Sequence, residues 1–474
     1  MTTWVTDAYK LSMAEAGYPL REETFYYSHR RGGPALLPFD VQREVRALLP
    51  RLDEGAFAAL DSAGIALGAG TRAALAGETV RVNALPRGSW FAPGEPVFSI
   101  TGPSALVSYL EPQLLMLAYR IQVATLAQFD SAALAREVGV VSCDAQRELV
   151  LATLDAVGVP APAIAVDADG YQRRVRKAAL SLIDAVQDAT RVFEVGLRAA
   201  TCVQQHALAL RACGDAGMNL TSHVGGALDL GMTAVGTMGH EHVQRFGTDE
   251  VAFRAMRDRI PGSVSYLLDT FDTLRSGLPA ALRLIAERGT RDSVRFDSGD
   301  KAAQYREALR ASQRLGVQPT FILEDGFDLA QTLHFESLRR QLGVAPERQR
   351  YGYGGFLVAA PAPGNLTRDR VAAVFKLSQS GERACMKFSD APGAQKQSVP
   401  GRPVLFRRVA GQGPASMIGQ AGEDPPEGMR RLTDLDAPLQ TTADLACPVP
   451  SPETAALVAE LTQARARVLE GGEE

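Results

Sequence analysis

The alternation of apolar and polar positions divides the chain into stretches of different character. Near the N-terminus, β-prone runs alternate with turns: ETFYYSHRRGG, from Glu23, is aromatic up to two adjacent arginines and then breaks on Gly-Gly. ETVRVNALPRGSWFAPGEPVFSITGP, ending at Pro103, reads as several short strands cut by Pro and Gly. A long helical stretch follows from about Ser104. The segment from Cys143 to Arg191 has a Pro-rich middle and a basic, helix-like end, which predicts a helical excursion.

From about Val192 to Leu357 the pattern becomes regular, with apolar β-prone runs ending in Gly, Asp, Glu, Arg or His before a helical pattern begins. TAVGTM leads into GHEHVQRF. SVRF leads into DSGD and the helix KAAQYREALRASQRLG, and QPTFIL into EDGF and DLAQTLHFESLRRQLG. RQRYGYGGFLV supplies a glycine-rich fourth unit. Strand–helix alternation predicts parallel β/α units. The chemistry-bearing residues fall just after the strands, where barrel enzymes place their sites, although a doubly wound open sheet reads the same locally. The text then returns to β-type: VAAVFKLSQSGERACMKFSD predicts a hairpin and RPVLFRRV another strand. A final helix, SPETAALVAELTQARARVLE, is capped near Ser451, and the GGEE tail reads as frayed.

Composition narrows the function classes. The chain has 474 residues, 46% hydrophobic and 22% charged, enough for two or three globular domains. A net charge of −4 argues against a broad nucleic-acid or acidic-membrane surface, but not against a small anionic substrate held by a few arginines. The most apolar long stretch, Leu106 to Phe129, is interrupted by Glu111, Gln113, Arg120 and Gln122 and reads as a buried helix rather than a membrane span. No secretory pattern is present at the start, and five scattered cysteines without a CxxC suit free thiols in a reducing cytoplasm.

Each candidate motif has a plainer alternative. RFDSGD places Arg295, Asp297 and Asp300 around a turn suited to pyrophosphate-bound Mg²⁺ or sugar hydroxyls, unless Asp300 simply caps the next helix. GYGG, with Gly354 and Gly355, lets backbone N–H groups approach a phosphate, and LEDG, with Gly326, is a weaker case of the same kind. Arg198 in FEVGLR is either a ligand or a surface charge. LTSHVGG offers Thr221 and Ser222 as a helix cap or a polar wall, with His223 structural. His240 and His242 would share one side of an extended strand and could ligate a metal, but no third ligand stands at recognisable spacing; a helix start would separate the rings and leave one to act alone.

Together the motifs resemble those of one family. TDAYKLSM, FEVGLR, LTSHVGGALDLGMTAVGTMGHEHVQRF, VRFDSGD, GYGGFL and ACMKFSDAPGAQKQSVPG stand in the order and rough spacing of nicotinate phosphoribosyltransferases, and more distantly of their nicotinamide-using relatives. The resemblance implies an irregular TIM-like α/β barrel over about 141–371, with the helical excursion at about 143–191. It also implies a β-rich α/β domain from 1–140 completed by 372–474, the type II phosphoribosyltransferase arrangement. It implies transfer of phosphoribosyl from phosphoribosyl pyrophosphate to nicotinate, with coupled ATP hydrolysis and Mg²⁺, in a homodimer with shared sites. A nicotinamide-using enzyme, or a pyridine-nucleotide binder without turnover, are the alternatives. Under the resemblance, His240 is the histidine that ATP phosphorylates. Arg30, Arg198 and Arg368 hold phosphates of the sugar substrate, and Asp297 contacts ribose or metal-bound pyrophosphate, with Asp300 as a second metal acid. Gly326, Gly354 and Gly355 take the 5′-phosphate. Tyr9 reaches across the dimer to stack on the pyridine, Arg295 contacts its carboxyl or amide, and Ser222 in place of an aspartate favours nicotinate. Where the family usually has a Phe before Gly-Leu-Arg this chain has Val195, with Phe193 one strand step away on the same side.

Overall fold

The computed structural model describes residues 3–77, 79–288, 292–388, 397–434 and 445–470; the GGEE tail and the middle of ACMKFSDAPGAQKQSVPG lie outside them. The regular β/α text folds into one seven-stranded parallel sheet. Its spatial order is Thr233–Ala234, Leu220–Thr221, Val192–Glu194, Gln349–Tyr353, Thr320–Leu323, Ser293–Phe296 and Ser265–Leu267. The last strand in sequence, Gln349–Tyr353, pairs with the first, Val192–Glu194. That pairing decides the question local patterning leaves open, because a sheet whose ends meet in chain order curls into a barrel. A seam remains between Thr233–Ala234 and Ser265–Leu267, which are not paired. The helices His240–Phe246 and Asp249–Arg259 fill the connection across it.

The strand interiors explain the curl. Phe321, Leu323, Tyr351 and Tyr353 are buried, as are Val294 and Phe296; such runs suit strands covered on both faces. After Ser293–Phe296 and Thr320–Leu323 an acidic cap starts the next helix. Asp300 accepts from the Ala303 N–H at 3.0 Å and Asp328 from that of Gln331 at 2.8 Å.

The two chain ends meet in a second, antiparallel sheet of order Arg383–Ala384, Ala373–Ser380, Glu22–His29, Phe98–Pro103 and Arg81–Ala84. Its core includes Phe98, stacked 4.8 Å from Tyr27. A four-stranded sheet contains Pro403–Arg408 and Ser416–Gln420. The final helix, Pro452–Glu470, begins with Ser451 Oγ accepting from the Thr454 N–H at 3.2 Å, the cap expected from the sequence. The Cys143–Arg191 segment is largely helical, with helices Asp144–Ala156 and Ala168–Val186. Among the described residues no helix is long and apolar enough to cross a membrane.

Candidate functional site

A helix starts at His240, and this separates the two histidines. His242 is buried, its Nε2 lying 2.9 Å from the Ala252 carbonyl and its ring against Phe246, and burial pushes it down to about 3. It is a packing residue, and the two rings do not form a metal pair. His240 turns instead toward Lys387, Asp269 and Asp297. Lys387 Nζ lies 2.7 Å from its Nε2, and Asp297 Oδ2 and Asp269 Oδ1 lie 3.5 and 3.7 Å from the same atom. Burial first, then the Lys387 charge, holds the imidazole below its usual range. An ammonium only donates, so Nε2 keeps its lone pair and Nδ1 carries the hydrogen toward Thr270 Oγ1, 3.1 Å away. The result is a neutral imidazole with a nucleophilic nitrogen held among two carboxylates and a lysine.

Both acids stand at strand ends. Burial would raise Asp297, but the Arg295 guanidinium, His240 and Lys387 hold it well below the usual carboxylate range. Asp269 takes a hydrogen bond from Ser298 through Oδ2, while its buried Oδ1 has no hydrogen-bond partner. His240, Asp269 and Asp297 offer ligand atoms within 4.8 Å of one another. An orphaned carboxylate oxygen beside a second ionised carboxylate fits a hard divalent cation. Asp300 does not join this cluster: it is exposed and caps Lys301–Arg314. The plainer reading of that acid is the one the structure shows.

Three cavity lobes meet at this point, and Arg198 and Arg295 line all of them. The first, about 410 Å³, contains Gly326, Gly354, Gly355 and Arg368. Gly326 has φ +74°, a conformation that favours glycine, and a Cβ on Gly355 would meet Asp369 at 3.0 Å. The second, about 250 Å³, is strongly basic and holds Arg30, Lys376 and Lys387 beside His240 and Glu111. Burial and the neighbouring cations push Lys376 down to about 7. The third, about 280 Å³, is the aromatic lobe, with Tyr9, Phe193, Val195 and Ser222. Phe193 therefore reaches the lobe where Val195 replaces the usual ring.

Within the chain, Tyr9 lines the aromatic lobe because the helix Ala8–Ala16 docks on the barrel, with Ala8 N–H donating to the Ser222 carbonyl at 2.7 Å. The expectation for Ser222 needs correction: it is not a free donor, because its hydroxyl lies 2.6 Å from Asp7 Oδ1. An aspartate thus enters the aromatic lobe from the N-terminal segment. Arg295 is likewise engaged, through Thr237 at 2.6 Å, the Met238 carbonyl at 3.1 Å, Asp297 at 2.5 Å and Glu324 at 3.0 Å. It shapes the wall where the lobes join. Arg198 lies 3.5 Å from Glu111 and 3.9 Å from Asp7, and Lys10 bridges Glu111 and Glu241.

Sequence reasoning missed Asp269, Lys376, Lys387 and Asp7. Lys387 stands inside a quoted motif, and Lys376 is a charge in the otherwise apolar run AVFKL, a usable signal. Asp269, in LLDT, carries none.

A curled parallel β/α sheet, with its acids and glycine loops at the strand ends and a β layer built from both termini, is the fold of a phosphoribosyltransferase-type α/β protein. It is similar to the nicotinate phosphoribosyltransferase structures of Porphyromonas gingivalis (TM-score 0.59, 18% identity, 83% of this chain and 95% of that one) and Vibrio cholerae (0.60, 19%, 84% and 90%). Those likenesses are of fold. In sequence, the chain is 26% identical to nicotinate phosphoribosyltransferase of Bos taurus over 406 residues, 82% of this chain and 69% of that protein. It is 28% identical to that of Bacillus subtilis over 225 residues, 46% and 43%, and 26% identical to that of Homo sapiens over 361 residues, 73% and 63%. The match thus spans less than half of the Bacillus protein. No family model matches. In motif order, sequence and fold the chain is thus similar to nicotinate phosphoribosyltransferases.

Proposed function

We propose that this chain transfers phosphoribosyl from phosphoribosyl pyrophosphate to nicotinate, giving nicotinate mononucleotide and pyrophosphate for NAD salvage, with ATP hydrolysis coupled through His240. The observation that carries this reading is the neutral His240 imidazole clustered with Asp269, Asp297 and Lys387 where three complementary lobes meet. The glycine lobe receives the sugar 5′-phosphate on backbone N–H groups beside Arg368. The basic lobe takes pyrophosphate between Arg30, Lys376 and Lys387. The aromatic lobe holds the pyridine between Tyr9 and Phe193, with Arg198 at its mouth. Such transfer passes through an oxocarbenium-like sugar, so the protein's task is alignment and balance of the leaving charge. Asp269 and Asp297 would hold Mg²⁺, which supplies charge neutralisation for the pyrophosphate. His240 Nε2, once Lys387 releases its lone pair, attacks the γ-phosphorus of ATP, the bridging P–O bond breaks and ADP leaves, and the added charge on the ring draws the cations of the basic lobe inward. The homodimer with shared sites belongs to the same proposal. The enzyme would act in the cytoplasm.

Asp7 beside Ser222 favours a second reading, in which a carboxylate accepts from the amide of nicotinamide. Incubation with phosphoribosyl pyrophosphate, Mg²⁺, ATP and each pyridine separates them. Nicotinate mononucleotide as the dominant product is expected; product from nicotinamide alone would transfer the assignment to the second reading, and no turnover with either would leave a binding protein.

A further inference from the structure

Two of the five cysteines, far apart in sequence, meet behind the Arg198 turn. Cys143 and Cys202 each stand immediately before a 13-residue helix, Asp144–Ala156 and Val203–Asp215, in nearly the same backbone conformation (φ −164°, ψ 166° and φ −160°, ψ 164°). Their surroundings are twins as well. The Ser142 N–H donates to Gln146 Oε1 at 2.8 Å, and the Thr201 N–H donates to Gln205 Oε1 at 2.8 Å. Gln205 Nε2 reaches Ser142 Oγ at 3.0 Å and ties the two helix starts together. The two sulfurs lie 3.6 Å apart. Two helix N-termini therefore point their positive ends at one pair of thiols, which favours a thiolate there. The Cys143 S–H, with backbone N–H groups at the start of Val203–Asp215, draws the Cys202 thiol below its usual range. Cys202 is also the more accessible of the two, 8% against 2% exposed.

We infer that Cys143 and Cys202 form a peroxide-responsive thiol pair that closes to a reversible disulfide and thereby displaces the Arg198 turn. The Cys202 thiolate attacks a peroxide oxygen, the O–O bond breaks, and sulfenic acid and hydroxide result. The Cys143 sulfur then attacks the sulfenic sulfur, the S–O bond breaks, and the hydroxide leaving Cys202 takes the Cys143 proton to depart as water. In sum two thiols are oxidised and one peroxide is reduced to two waters. A disulfide needs sulfurs about 2.05 Å apart, so closure draws the end of the Gly196–Thr201 turn toward Cys143, and Arg198 lies within that turn.

Peptide mapping of the native protein titrated with hydrogen peroxide tests the pair. A Cys143–Cys202 cross-link, reversed by dithiothreitol, is expected at peroxide levels that leave Cys213 and Cys385 reduced. Cys143→Ser is expected to leave a dimedone-trappable sulfenic acid on Cys202, and Cys202→Ser to leave the Cys143 thiol unreacted; Cys143→Ala repeats the first test should the serine variant misfold. Oxidation confined to the exposed Cys447, or a cross-link obtained only after denaturation, would overturn the assignment. The displacement is read by calorimetry with pyrophosphate, because Arg198 also lines the basic lobe; this readout rests on the proposed function only through the anion taken by that lobe. Severalfold weaker binding by the cross-linked protein supports it, and unchanged binding with the cross-link in place removes the displacement. Absence of phosphoribosyl transfer would leave the mapping result untouched.

Discussion

His240 receives a hydrogen bond from an ammonium on one ring nitrogen and gives one to a threonine from the other, so its tautomer and its reactive atom are both set by neighbours. Asparagine can replace the Nδ1–H donor but offers no nucleophilic nitrogen. His240→Asn is therefore expected to lose ATP hydrolysis by roughly a thousandfold or more and to lose ATP stimulation, while slower phosphoribosyl transfer persists. Phosphate release and transfer rates measured side by side check this; ATP coupling that survives unaltered refutes the role. Much of this residue-scale chemistry was legible. His240 and Asp297 stand in short strings whose residue types announce anion chemistry. Lys387 and Asp269 were not legible, because the first arrives from 147 positions away and the second sits in an unremarkable turn. Ser222 was legible as a site residue but misread in its partner, since nothing in its own segment reveals that Asp7 will lie against it.

At the scale of elements, the docking of Ala8–Ala16 on the barrel depends on Gly236. A Cβ there would lie 2.6 Å from the Tyr9 backbone nitrogen and 3.0 Å from its Cα, and backbone cannot yield as a side chain would. Gly236→Ala is expected to push the N-terminal helix outward at a cost of about 1–3 kcal/mol and to raise the apparent KM for the pyridine by about tenfold, as 1.4 kcal/mol lost from binding would do. Gly214→Ala is the contrast: that position is exposed, late in the helix Val203–Asp215, with nothing within 4 Å of the added methyl group. It should gain roughly 0.5–1 kcal/mol through helix propensity with unchanged kinetics. Thermal melts and steady-state kinetics on both variants decide. The elements themselves were largely readable because each β/α unit carries its own period, cap and turn. The docking of Ala8–Ala16 on the barrel was not, because it is set by close approach between segments rather than by either segment's pattern.

For the molecule as a whole, buried histidines contribute to the acid limit, His29 and His242 among them. His29 sits 2.9 Å from the Tyr27 hydroxyl in the antiparallel sheet, and His242 lies behind the barrel; burial pushes each down to about 3. Both are depressed relative to the unfolded value near ~6.5. Below that value the unfolded chain binds protons that the folded chain refuses. Stability is then fully present above pH ~6.5 and falls as pH drops toward about 3, by up to ~1.4 kcal/mol per unit for each histidine. Melting temperatures across this range should fall more gently for His29→Gln than for the parent chain; parallel slopes would show that His29 already titrates normally in the fold. Barrel against open sheet was the main question at this scale that the sequence left undecided. Both share their local text, and the pairing of Gln349–Tyr353 with Val192–Glu194 joins segments more than a hundred residues apart.

The seam in that barrel gives the side chains of the site two kinds of mechanical freedom. Asp297 and Glu324 follow strands with a neighbour on each side, so moving either means breaking ladders. His240 rides on the connection that crosses the unpaired junction. It can shift with its helix and leave every interstrand hydrogen bond intact, so the imidazole is compliant while Asp297 beside it stays stiff.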